Sequence, residues 1–161
     1  MDLFAALGKK PQVRIHLKCR TKYYILEYEP NSRQRPNMRI YKNRRFTRFA
    51  KKEGISDAKL CEAIQDAEAG KIDANYGSGV IKQRIARPNE GKSGGYRSVI
   101  LYHRGDKAFF VYGFPKSERE NINEEEEREF KKLAKITFAF SDDALAKLVK
   151  TGAYKEVKCN D

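Results

Sequence analysis

The sequence predicts an α+β fold: a small antiparallel sheet of about four strands, two N-terminal helices on one of its faces, and a C-terminal helical segment. Three observations carry this. Two stretches before residue 70 repeat apolar residues at helical spacing, three runs between residues 80 and 114 alternate as strands do, and helical spacing returns after residue 123. Met38 opens the pattern, with a short strand from Arg39 to Lys42 and then a helix bearing Phe46 and Phe49 on one face. In the second helix Ser56 is the N-cap, Asp57 sits in the first turn, Leu60, Ile64 and Ala67 form the stripe, and Gly70 ends it. A loop through Tyr76-Gly77-Ser78-Gly79 leads to strands near Val80 to Ala86, Tyr96 to His103 and Ala108 to Phe114. Arg104-Gly105-Asp106-Lys107 is short enough to join the last two as an antiparallel hairpin. Asn123 caps a helix whose first turn holds Glu124 to Glu127, acids at the positive end of the helix dipole, with Phe130, Leu133, Ala134 and Phe138 on its apolar side. A last helix runs from Ser141 to Lys150 and stops at Gly152. With helices covering one sheet face, the opposite face is left for a ligand.

The chain has 161 residues, enough for one domain with one core, and 40% hydrophobic against 35% charged residues fits a soluble globular protein. Its formal charge of +12 points to anionic partners, because Lys and Arg that neutralise phosphates release condensed counterions. Cys19, Cys61 and Cys159 are scattered, without a CxxC, and have only His16 and His103 as companions. They read as reduced thiols of a cytoplasmic protein, with no zinc site. Neither a membrane span nor a signal peptide is expected, since the apolar patch LFAAL is cut off by Gly8-Lys9-Lys10. Residues 1–37 differ from the rest: eight Lys or Arg against three acids, a β-like run from Tyr23 to Tyr28, then linker composition through Pro30 to Asn37. They read as a basic extension, poorly ordered or a non-native start, with a nucleic-acid-binding arm as the functional alternative.

The chemistry is concentrated between Gly79 and Ile122, where cationic and aromatic residues are interleaved with aliphatic ones. Such a surface suits a polyphosphate with stackable bases, and RNA fits best. Strand alternation places Lys82 and Arg84 on one face, and Arg97 joins them if the register allows. Alternation also sets Tyr112 with Phe110 and Phe114, opposite Phe109 and Val111. Lys116 and Arg119 follow at the strand's end, within a loop's reach of the same patch. Arg87, Lys92, Tyr96, His103 and Tyr112 complete the substrate-binding candidates. No paired carboxylates, nucleophilic triad, metal-ligand cluster or nucleotide-loop spacing is present. Attack of an RNA 2′-hydroxyl on the adjacent phosphate needs neither metal nor cofactor: it needs a base, an acid and fixed positive charge. Lys82, crowded by Arg84 and Arg97, is the candidate base; Lys116, Arg119, Tyr112 and His103 are the candidate acids.

The strings KQRIARP, GKSGGYRS and AFFVYGFPKSERENI resemble the signature of RelE-type toxins of bacterial toxin-antitoxin systems, in the RelE/ParE superfamily that includes HigB. The resemblance extends from Met38 to about Val157. It implies a compact toxin that enters the ribosomal A site, cleaves the mRNA there and is neutralised by a cognate antitoxin from the same operon. It also implies that cations on the central strands do the work, here Lys82, Arg84 and Arg97 after Tyr96, with Lys116 and Arg119 towards the last helix. Where some family members carry a catalytic Tyr near that helix, this chain has Ile122-Asn123, and residues 1–37 have no counterpart in the family pattern. The alternatives are a ParE-like toxin acting on a protein such as gyrase, and a nonenzymatic nucleic-acid-binding protein.

Overall fold

The computed structural model describes residues 38–159. The N-terminal extension and Cys19 lie outside the described residues. In chain order the elements are β1 (Arg39–Asn43), α1 (Arg44–Glu53), α2 (Asp57–Glu68), β2 (Ala74–Gly77), β3 (Val80–Arg87), β4 (Gly91–His103), β5 (Lys107–Pro115), α3 (Glu124–Phe138), α4 (Asp142–Lys150) and β6 (Tyr154–Glu156). Local chemistry sets the helix starts: Asn43, Ser56, Asn123 and Ser141 each accept a first-turn N–H on the side chain, and Glu126 closes a capping box with Asn123.

The sheet has six strands in the order β2-β3-β4-β5-β1-β6, not about four, and it is mixed. β1 runs parallel to β5 and antiparallel to β6, while β2 to β5 form an antiparallel meander. The two strands missing from the sequence reading, ANYG and YKE, are four and three residues long. Neither is long enough to show a period of two; each is defined by the neighbour it pairs with.

Both faces of the sheet carry helices, which corrects the expectation of one bare face. On one side Phe46 and Ala50 of α1 and Leu60, Ala63, Ile64 and Ala67 of α2 pack on Ile81, Ile85, Ile100 and Phe110. On the other, Ala134 of α3 and Leu145 of α4 pack on Val80, Val99, Leu101 and Phe109. Gly113 lies beneath the Phe49 and Phe46 rings, which leave no room for a Cβ, so α1 lies close against β5. A β-bulge between β4 and β5 breaks the simple alternation: Ile100 pairs with Phe110 but Val99 with Tyr112, so the extra residue Val111 shifts the pleat. Phe110 therefore joins Phe46 in one core layer, while Phe109, Val111 and Phe114 share the other. The sequence had grouped Phe110 with Phe114, which holds only for an unbroken strand.

The thiols require a second correction. Cys61 and Cys159, 98 positions apart, form a disulfide between α2 and the segment after β6. Pairing of β6 with β1 brings the tail back across the α2 end, where the Val157 N–H donates to the Ile40 carbonyl and the Lys158 N–H to Asp57 Oδ2.

Asp57 also accepts from Lys42 Nζ at 2.6 Å. Burial works to raise its pKa, but the Lys42 ammonium and the Lys158 N–H outweigh this and hold the carboxyl below the usual range. A folded-state pKa below the unfolded one means that the stabilisation is complete above the ordinary carboxylate range and is lost as pH falls through the lower folded value. Asp57→Asn is therefore expected to lower stability by about 2 kcal/mol at neutral pH. Denaturant melts of variant and wild type should converge as pH falls towards 2; a gap independent of pH would assign the effect to packing instead.

Candidate functional site

Lys82 and Arg84 stand two residues apart on β3, and Arg84 pairs directly with Arg97 on β4, so all three project to the α3 face of the sheet. Their neighbours on β5 are Tyr112 opposite Val99 and Phe114 opposite Arg97. The register thus assembles the central trio that alternation alone had left open. It also places the trio in a half-closed cleft of about 120 Å³, lined by Asp73, Lys82, Arg84, Arg97, Glu120 and Asn121, and not on an open surface. Lys82 is only 9% exposed and Arg97 5%, whereas Arg84 reaches solvent. The apolar layer below and the segment after β5 above enclose the first two.

Asp73, in the turn between α2 and β2, is the carboxylate on which the trio converges. Its Oδ1 accepts from Arg84 Nε at 2.6 Å, and its Oδ2 lies 3.4 Å from Lys82 Nζ and 3.9 Å from Arg97 Nε. Lys82 Nζ also donates to Asn121 Oδ1 at 2.6 Å and to the Glu120 carbonyl at 3.3 Å. Among the described residues every polar contact of the Lys82 amine, the candidate base of the sequence reading, is with an acceptor. Arg97 is the opposite case. Its Nη1 is buried and hydrogen-bonded to nothing among the described residues. A buried guanidinium N–H without an acceptor is costly.

The remaining candidates lie elsewhere. Arg119 forms a bidentate pair with Glu126 at 2.8 and 3.0 Å and stacks on Tyr112 and Phe114; Glu126 raises the Arg119 pKa, and Arg119 holds the Glu126 carboxyl below its usual range. Lys116 is exposed in the turn after β5, and neither it nor Arg119 lines the cleft. Tyr112 shares the trio's face, but Arg45 at 4.4 Å and Arg119 at 5.0 Å from its ring centre, with Phe130 beside it, occupy the surface a base would stack on. Tyr96 points to the opposite face, where it is buried against Phe49, with Arg87 over its ring. Lys92 is paired with Asp66 of α2, and His103, at the far end of β4, faces Asp106 and Phe138. Sequence reasoning missed Asp73, Asn121 and Arg45. A single Asp in a turn, nine positions before Lys82, carries no spacing signal.

A larger depression of about 340 Å³, lined by Arg45, Tyr112, Asn123, Glu125, Glu126, Glu129 and Phe130, has three glutamates on its wall and repels phosphate. Among the described residues no group of three or more His, Cys, Asp or Glu is placed to hold a metal ion, and no helix is long and apolar enough to cross a membrane.

Residues 38–157 match the family model described as the RelE toxin of the RelE/RelB toxin-antitoxin system. The chain belongs to the RelE toxin family. It is thus a toxin of a toxin-antitoxin system, and the family implies an antitoxin as its partner. No curated protein and no solved structure matches it at a significant level. The matched segment holds the six strands and four helices of the described residues, and all six residues that line the cleft of this RelE toxin fall within it.

Proposed function

We propose that this RelE toxin is a cytoplasmic, ribosome-dependent endoribonuclease, which cuts mRNA in the ribosomal A site by metal-independent attack of the 2′-hydroxyl on the scissile phosphate. The observation that carries the reading is the buried Arg97 guanidinium with an unpartnered Nη1, set beside Lys82 and Arg84. Three cations against the single Asp73 carboxylate leave two positive charges in the cleft, which matches the two negative charges of a phosphorane. Arg97 and Arg84 hold the phosphate as fixed charge, and Lys82 supplies a proton donor. Lys116 and Arg119, in the segment after β5, serve RNA binding and positioning in this reading, and so do the exposed cations of α1, Arg44, Arg45, Arg48, Lys51 and Lys52.

Primer extension on mRNA from cells expressing wild type or Arg97→Ala tests the proposal. Cuts at fixed positions relative to the reading frame, present with wild type and absent with the variant, are the expected result. Uncut message, with DNA synthesis stalled while translation continues, would favour a ParE-like protein target instead.

A further inference from the structure

We propose that Asp73 is the proton acceptor for the attacking 2′-hydroxyl, a role that rests on the ribonuclease function proposed above. The cleft holds few groups able to take a proton. Arginine is never a base at accessible pH, Lys82 Nζ faces three acceptors, and Glu120 is exposed and offers the cleft its backbone carbonyl. Among the described residues Asp73 alone presents a carboxylate to the three cations, with its side chain 11% exposed.

The placement of Asp73 is built from below. Its backbone N–H donates to Gln83 Oε1 at 3.2 Å, and Gln83 Nε2 donates in turn to the carbonyls of Ala63 at 3.0 Å and Lys71 at 2.8 Å. Gln83 is 3% exposed and sits between Lys82 and Arg84 on the other face of β3. One buried amide therefore ties the Asp73 turn to the end of α2 and to the strand that bears two of the cations.

The step balances within these residues. The O2′–H proton passes to Asp73 as the O2′–P bond forms, the P–O5′ bond breaks, and O5′ takes a proton from Lys82 Nζ. Asp73 Oδ2 and Lys82 Nζ are 3.4 Å apart, so the proton gained by the acid returns to the amine and restores both groups. The products are a 2′,3′-cyclic phosphate and a 5′-hydroxyl.

The test is single-turnover cleavage of ribosome-bound mRNA by full-length wild type, Asp73→Asn, Asp73→Glu and Arg97→Ala, with each variant's melting temperature measured. Asp73→Asn, which keeps an acceptor for Arg84, should cleave about 100- to 1000-fold more slowly. Asp73→Glu, which restores a carboxylate to the cleft, should recover part of the lost rate, which decides the matter even if the Asn variant folds poorly. A wild-type rate in Asp73→Asn, or a folded Asp73→Glu no faster than Asp73→Asn, would overturn the proposal while an inactive Arg97→Ala left the ribonuclease reading intact. Wild type that cleaves nothing would overturn both.

Discussion

Arg97→Ala should lower mRNA cleavage on ribosomes by about 100- to 1000-fold, the scale on which removal of one preorganised donor to a transition-state oxyanion acts. The expectation comes from what Arg97 lacks in the free protein. Its closest charged contact is the Asp73 carboxylate at 3.9 Å, and its Nη1 donates to no group among the described residues. Truncation therefore removes no well-formed hydrogen bond from the folded state, and the melting temperature should change little beside the loss of rate. Arg97→Lys separates charge from geometry: the ammonium keeps the charge but lacks the planar fork, so it should recover only a fraction of the activity. A folded Arg97→Ala with wild-type cleavage would remove the main support for the proposed reaction.

Reduction of the Cys61–Cys159 disulfide should lower the unfolding free energy by about 4 kcal/mol, because a bridge spanning so much of the chain removes a large share of the unfolded state's freedom. For a domain of this size that corresponds to roughly 10 to 20 °C in melting temperature. The structure adds a local reason. The bridge fastens the segment after β6 to α2, beside the Asp57 contacts with Lys42 and Lys158, and so supports the β1–β6 edge of the sheet. Thermal melts with and without reductant, beside a Cys159→Ser variant that ignores reductant, give the measurement. A difference below about 1 kcal/mol would show that the edge is held by the β1–β6 ladder and the Tyr154–Phe109 contact instead.

Part of the site was legible because its signal is local. Lys82 and Arg84 are two residues apart within a strand, so their common face follows from alternation. Arg97 was legible as a charge but not as a partner, since the Arg84–Arg97 register is fixed by how β3 and β4 pair. Arg119 shows the reverse: its charge suggested catalysis, and the fold set it against Glu126 seven residues on. Tyr96 and Tyr112 were equal as candidate platforms by sequence; a bulge and the opposite pleat gave them different surroundings.

By itself the sequence determined the helix caps, the hairpin between β4 and β5 and the shared face of Lys82 and Arg84, because these depend on hydrogen bonds and periodicities within a few residues of each other. Only the tertiary structure decided that Asp73 meets three cations, that Arg97 is buried with a free donor, and that two thiols 98 positions apart are joined. Those contacts bring together segments with no common period, and packing of both sheet faces, not any local preference, fixes their distances.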